Sequence, residues 1–422
     1  MINIPKYVTH CAFFFLAVTA LSGVWMRLYA IATPTQIVAY DHILHAHSHA
    51  AILGWTFLAV LIIYFKLAWK HVQQKKQATI LIIITFLITF SMTIAFIWQG
   101  YALYSIILST AHILIEYCAI IFVYRSLKKV PDIPAISKTF IKGALLTLFI
   151  SSIGPWSLGA IGSQGLQHLP IFDMAVYFYL HFQYNGWLYL ILIGLFLYLL
   201  VKKGISLPTK LLKVSFWVYI FALFPGYLLS VLWYDFGVIG IVFGAIGAIG
   251  QLVGVFTLCY VIFQIKFDIA ENFSKRIRFL LGLSFLLLLS KTVMELALLH
   301  LPFANLIYET RSVVIGYLHL TLLGFISLLI LSLFQMGQLL DEKNSFVRMG
   351  LATFITGFTL NEIILFLSGL FTWLDLTDLS FENELLLFAS ILLSVGTLFI
   401  WSSIFKQENL LAIEKRTLKK AT

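Results

Sequence analysis

Residues 42–55, HILHAHSHAAILGW, place four histidines at the start of an apolar segment that continues to Phe65. An ionisable side chain at membrane depth is costly, so it is usually retained for a ligand, an ion or a proton path. Histidine in particular is a common ligand of metal ions and of haem iron. The stretch therefore predicts a metal-ligating or haem-ligating segment at one end of a membrane span.

The composition of the whole chain is that of a polytopic membrane protein. Of its 422 residues, 61% are hydrophobic and 11% are charged. Apolar segments of roughly 20 residues, long enough to cross the hydrocarbon core of a bilayer, recur along the chain. We expect an all-α fold in a single transmembrane domain over residues 1–422. Twelve spans are predicted, near residues 8–28, 43–65, 79–98, 102–124, 143–163, 174–200, 212–234, 237–264, 279–300, 312–336, 349–371 and 385–405.

Basic residues predict how these spans are oriented. They follow every even-numbered span, as Lys66 follows span two and Arg125 follows span four, and the tail after span twelve is basic as far as Lys420. Because Lys and Arg of short loops stay on the cytoplasmic side, we expect both termini in the cytoplasm and the chain in a bacterial inner membrane. Loops facing anionic lipid explain the net charge of +10 without nucleic acid.

This topology places the histidines of four spans at one depth. With ~1.5 Å per residue, His47, His49, His112, His181 and His319 all lie roughly 6 to 14 Å below the outer surface. Histidines that merely pack inside the protein would not share one depth. The common depth therefore favours a shared ligand.

Helical geometry divides the histidines of span two between two faces. His45 and His49 share a face, whereas His47 and His49 point roughly 200° apart, so one helix could serve two sites. For His42 and His45, metal ligation and a place as solvated residues of the headgroup region are equally compatible with the sequence.

Spans two, six and ten repeat one spacing, in which a glycine and an aromatic residue begin five residues after a histidine. The glycine alone has a packing explanation, since small residues let membrane helices approach. The spans are four apart, so three four-helix arcs would place them at equivalent positions. The repeated sets are His49 with Gly54 and Trp55, His181 with Gly186 and Trp187, and His319 with Gly324 and Phe325.

These features together resemble the catalytic subunit of haem-copper oxidases and the related nitric oxide reductases, which have twelve spans in three arcs. HAHSHAAILGW resembles the H-x-H-x-G-x-LGW segment of the C-family oxidases, although there it lies on the tenth helix. The early HAH and the segment from His319 to Ile330 are also similar to the NnrS membrane proteins.

The resemblance implies one or two b-type haems, ligated by His47 or His49 and, on the opposite side, by His319. Arg311 at the outer mouth of span ten would pair with haem propionates, or else anchor the span at the interface.

Copper is a further cofactor that the resemblance implies. His181 matches the sixth-helix copper ligand of the oxidases, but span seven lacks the two histidines that complete that site. His112 could contribute to a rearranged metal site, or form a hydrogen bond between helices.

The function implied is respiratory electron transfer or the reduction of O2 or NO, with an electron-donor subunit or cytochrome as partner. An NnrS-like NO or metal response without turnover is an alternative. A twelve-span secondary transporter is another, although the histidines lie away from the membrane midplane.

In span nine, Lys291 and Glu295 are four residues apart and are expected to neutralise each other. The pair could be structural, could contact a haem propionate or could form part of a proton path.

Overall fold

The computed structural model describes residues 5, 7–32, 37–377, 379 and 381–421, with side chains as far as residue 405. The side chains of the basic tail, including Lys420, therefore lie outside the described residues. Every regular element in the described part of the chain is a helix, which confirms the all-α prediction.

Twelve helices among the described residues are long and apolar enough to cross a membrane, as predicted. Span five differs most from expectation, because it begins at Ala135 and its first turns carry Lys138 and Lys142, which lower the local hydropathy. The spans, numbered one to twelve in chain order, are Tyr7–Ile31, Tyr40–Ala68, Lys75–Gln99, Leu103–Leu127, Ala135–Ser163, Pro170–Lys202, Thr209–Val231, Gly237–Gln264, Lys275–Ala297, Arg311–Met336, Ser345–Trp373 and Glu382–Phe405.

Proline and a serine cap set several of the helix starts. Pro170 is the first residue of span six, and Pro134 and Pro208 directly precede spans five and seven. Proline is tolerated at a first turn because the N–H groups there have no partner within the helix. Ser274 caps span nine, where its hydroxyl oxygen accepts a hydrogen bond from the backbone N–H of Ile277 at 3.4 Å.

Spans two, six and ten are the most enclosed of the described helices. In their most apolar stretches 89%, 94% and 61% of the residues are buried, compared with 28% to 50% in the other nine spans. All twelve spans are apolar, so it is the burial that shows which helices are surrounded by protein. The three spans that share the histidine spacing are therefore also the interior ones.

Each of these three spans widens into a π-helical stretch at its histidine. A π turn, with its i→i+5 hydrogen bonds, is rare and occurs frequently at functional sites. The structure thus repeats at the same four-span interval as the sequence. The π segments are Ala50–Thr56 directly after His49, His181–Leu188 beginning at His181, and Leu320–Ser327 directly after His319.

The π segments also repeat in their neighbours, since they pack against spans one, five and nine respectively. In two of them a glycine permits the close approach. A Cβ atom on Gly54 would lie 2.4 Å from Cγ of Phe15, and one on Gly186 would lie 2.8 Å from Cβ of Thr147. Both distances are too short for carbon atoms in contact, so these positions need glycine.

The chain divides into two compact units. Unit one comprises Met1–Ile115, Phe334–Phe371 and Leu376–Thr422, and unit two comprises Glu116–Leu333 and Thr372–Asp375. In unit one, span one packs against spans two and twelve, and span two also packs against span three. In unit two, span six packs against spans five, seven and ten, and span eight packs against spans seven and nine. A single transmembrane domain over the whole chain stays a prediction.

Candidate functional site

The two deep histidines of span two face different neighbours, as their spacing predicts. The His47 ring lies beside span one, with Nδ1 3.1 Å from Oγ of Ser22. The His49 ring stacks on Phe96 of span three, with ring centroids 4.3 Å apart and planes at 30°. Both rings are partly exposed. Span two therefore offers one imidazole to each of two environments.

The contacts of Ser22 determine which nitrogen of His47 carries the proton. The hydroxyl of Ser22 donates to backbone carbonyls of its own helix, at 2.7 Å to Val18 and 2.9 Å to Thr19. Toward His47 the oxygen can then only accept, so Nδ1 of His47 donates and Nε2 keeps its lone pair. Metal-ligating histidines commonly donate their second N–H to a protein oxygen in this way.

His49 reaches the same state through its own helix. Its Nδ1 lies 2.9 Å from the backbone oxygen of His45, which can only accept, so Nδ1 donates and Nε2 keeps its lone pair. The hydroxyl of Tyr101 lies 3.4 Å from that Nε2, which is too long for a strong hydrogen bond. Both His47 and His49 thus fit axial ligation of a haem through Nε2.

The shallower histidines continue the face of His49. The ring of His45 meets Tyr101 edge-on, with ring centroids 4.5 Å apart. Nδ1 of His42 lies 3.3 Å from the backbone oxygen of Ile97 at the outer end of span three. The predicted common face of these histidines is therefore present.

His112 of span four is fully buried in unit one, where its ring meets Phe57 edge-on at a centroid distance of 5.4 Å. Nowhere in the described part of the chain do three His, Cys, Asp or Glu side chains form a group that could hold a metal ion. Metal ligation by His45 and by His112 stays a prediction.

His181 of span six has both ring nitrogens engaged and is 2% exposed. Nε2 lies 2.8 Å from the backbone oxygen of Leu223, and because a carbonyl only accepts, Nε2 carries the proton. Nδ1 then accepts from Nδ2 of Asn185 at 3.3 Å. The backbone oxygen of Asn185 in turn accepts from the hydroxyl of Tyr219 at 2.8 Å. The lone pair of His181 therefore lies on Nδ1 and faces the Asn185 amide, whereas the lone pairs of His47 and His49 lie on Nε2.

Copper of the oxidase type does not fit these residues. Span seven supplies no histidine, and His181 would have to give up a hydrogen bond to Leu223 or to Asn185 before it could bind an ion. We therefore derive no chemistry from copper in this chain. The copper ligation predicted for His181 stays a prediction.

His319 resembles His49 in its place within the helix. It is the last residue before the π segment Leu320–Ser327, and its side chain is partly exposed. Arg311 is exposed at the first residue of span ten. Haem ligation by His319 and propionate binding by Arg311 stay predictions.

The predicted ion pair in span nine is confirmed. Nζ of Lys291 lies 2.8 Å from Oε1 of Glu295, and the two side chains are 4% and 7% exposed. The hydroxyl of Tyr317 in span ten donates to the same carboxylate oxygen at 2.6 Å. Buried charges need such compensation. A role of the pair as a propionate contact or in a proton path stays a prediction.

Sequence reasoning missed the residues that orient the histidines. Asn185 could have been found from the sequence, because it is a polar residue four positions after His181 inside an apolar span. Ser22 and the carbonyl of Leu223 carried none, because each acts from another helix, 25 and 42 residues away in sequence.

Comparison with known proteins identifies the fold. A haem-copper terminal oxidase dimer studied by cryo-EM is similar to this chain with a TM-score of 0.66 and 12% sequence identity, over 96% of this chain and 84% of that chain. The chain has the fold of a haem-copper terminal oxidase. No family model and no curated protein sequence matches it.

This likeness confirms the predicted fold class, an all-α membrane protein similar to cytochrome oxidase subunit I. At 12% identity it shows the fold alone, so membership of the oxidase superfamily stays a prediction, as does the transporter alternative. The finer resemblance to NnrS proteins stays a prediction.

Proposed function

We propose that this chain is a haem-binding integral membrane protein in which Nε2 of His47 or His49, together with His319, would hold b-type haem. The hydrogen bonds at Nδ1 carry the proposal. Each of the two span-two imidazoles has that nitrogen held by a protein oxygen and keeps a lone pair on Nε2 in a partly exposed ring. The fold shared with a haem-copper terminal oxidase supports it.

The protein residues would orient the ligands and tune their basicity. The hydroxyl oxygen of Ser22 accepts a hydrogen bond from Nδ1 of His47, and the carbonyl oxygen of His45 accepts one from Nδ1 of His49. Each bond fixes the tautomer of its ring and strengthens Nε2 as a ligand. Phe96 stacks on His49 and restricts rotation of its ring. Arg311 is proposed to bind propionates, because guanidinium matches carboxylate geometry. When bound, haem would supply a one-electron redox centre.

The role we infer is respiratory electron transfer or O2 or NO chemistry in a bacterial inner membrane, with both termini cytoplasmic. Lipids surround the spans, and an electron-donor subunit or cytochrome would deliver electrons.

The test is the visible spectrum and haem content of the purified full chain and of four variants. We expect a Soret band and sharp reduced α band in the wild type, and loss of both in His319→Ala and in one of His47→Ala and His49→Ala. His42→Ala is the matched control, because His42 lies in the first turn of the same span and its one described hydrogen bond goes to the Ile97 carbonyl. A colourless wild type, or unchanged spectra in all three ligand variants, would contradict the proposal.

A further inference from the structure

A second polar cluster lies among spans six, seven and eight, all within unit two. Span six contributes His181 and Asn185, span seven contributes the carbonyl of Leu223 and Gly226, and span eight contributes Gln251. None of these side chains belongs to the proposed haem ligation. A test of this cluster therefore does not depend on which histidines hold haem.

Gln251 is the least satisfied residue of this cluster. Its side chain is 1% exposed, and neither Oε1 nor Nε2 has a hydrogen-bond partner among the described residues. A buried amide without partners is costly, and native proteins usually pair such groups with protein or with ordered water. In the middle of an apolar span, bulk solvent cannot supply that partner.

The side-chain oxygen of Asn185 is a second buried acceptor without a partner among the described residues. Because the Leu223 carbonyl fixes the proton of His181 on Nε2, the amide of Asn185 must turn its NH2 group toward Nδ1. Its orientation is therefore set by chemistry. Oδ1 of Asn185, 2% exposed as a residue, is then left without a partner among the described residues.

Gly226 shows that Gln251 and His181, the hydrogen-bond partner of Asn185, converge. A Cβ atom there would lie 2.2 Å from Nε2 of Gln251 and 3.6 Å from Cε1 of His181, so both side chains border one point on span seven. The α-helix of span seven ends at Gly226, directly after Pro225, and continues as the 3-10 turn Tyr227–Val231. Irregular backbone at membrane depth is tolerated where it is buried in protein or lines a water-filled cavity.

We propose that spans six, seven and eight enclose a binding site for water, in which a bound water donates to Oδ1 of Asn185 and is linked to the amide of Gln251. Water fits because the site offers unpaired acceptors together with a donor and carries no charged side chain among these groups. The water would lie beside His181 and complete the chain of hydrogen bonds that begins at Leu223.

The test is radiolytic hydroxyl labelling of the full chain in lipid nanodiscs, read by mass spectrometry. Radicals formed from a bound water modify side chains next to it even when these are buried. Tyr219 is the reporter, because it is 2% exposed and its hydroxyl donates to Asn185. Tyr64, 1% exposed in span two, is the reference of the same chemistry. We expect Tyr219 to be labelled well above Tyr64 in the wild type.

Two variants connect the label to the site. Gln251→Met keeps the length of the side chain but removes the amide oxygen and nitrogen. It should reduce the labelling of Tyr219 to that of Tyr64. Gln183→Met is the matched control, because Nε2 of Gln183 donates to Ser151 at 3.2 Å, and labelling should be retained. Wild-type labelling of Tyr219 no higher than that of Tyr64 would overturn the proposal whether or not Gln251→Met folds. Labelling that persists in a folded Gln251→Met protein would overturn it as well.

Discussion

His49 in span two and His181 in span six occupy corresponding places in the repeat but have opposite surroundings. His49 is partly exposed, and one nitrogen is bonded to its own helix while Nε2 keeps a lone pair. His181 is buried, and its two nitrogens bond to Leu223 and to Asn185. Equal depth and equal sequence spacing therefore do not give equal chemistry. The hydrogen-bond partners place the proton on Nδ1 in His49 and on Nε2 in His181, so the two imidazoles present opposite nitrogens as acceptors.

The largest effect should come from removing the buried ring. His181→Ala would leave the Leu223 carbonyl and the Asn185 amide unpaired beside a cavity, and we expect the free energy of unfolding to fall by about 3–5 kcal/mol. His49→Ala removes a partly exposed ring and should cost clearly less. Unfolding of both variants in detergent, followed by circular dichroism, measures the difference. An equal loss of stability in the two variants would contradict the difference in burial and hydrogen bonding between His181 and His49.

Ser22→Ala sharpens the comparison on the side of span two. It removes the oxygen that holds Nδ1 of His47, and loss of such a contact typically weakens metal binding by about 10- to 100-fold. Where His47 is the ligand, haem affinity should fall to that extent in a haem titration. Ser48→Ala is the control, because the Ser48 hydroxyl donates to the Leu44 carbonyl of its own helix at 2.9 Å. Unchanged affinity in Ser22→Ala would assign ligation to His49.

Gly186→Ala tests how tightly the π segment of span six must pack. The new methyl would lie 2.8 Å from Cβ of Thr147, and overpacking of this kind costs about 1–3 kcal/mol. In Gly282→Ala the methyl meets nothing within 4 Å, so that variant should be neutral or stabilising. Thermal unfolding of the two variants, compared with wild type, provides the measurement. A Gly186→Ala protein as stable as Gly282→Ala would show that the π segment can shift.

The smallest effects should come from two hydroxyl groups. Tyr219→Phe loses a buried hydrogen bond of 2.8 Å, for which we expect a loss of about 1 kcal/mol. Tyr101→Phe loses only the 3.4 Å contact with His49 on a side chain that is 57% exposed, and its effect on stability should be smaller. Chemical denaturation of both variants compares them, and a larger loss in Tyr101→Phe would reverse the order proposed for the two regions.

The sequence predicted the spans and the histidine spacing because both depend on local composition and on helical periodicity. It predicted the two faces of span two for the same reason. The π segments escaped prediction, since residues such as Gly54 and Gly186 are equally compatible with a uniform α-helical repeat. The state of His181 also escaped it, because the Leu223 carbonyl that fixes its proton lies 42 residues away and belongs to the backbone.

The widened turns also uncouple the two halves of each interior span. In an α-helix each residue turns the chain by about 100°, so a surplus residue resets the angular phase of everything beyond it. In span two the half after the π segment, Phe57–Ala68, is buried at every residue except Lys66, whereas the half before it carries partly exposed histidines. Span two thus behaves as two helices in tandem, one oriented by the hydrogen bonds of its histidines and one by its packing. Deleting a single residue from the π segment Ala50–Thr56 would rotate the histidines about the helix axis relative to Phe57–Ala68 without replacing any histidine.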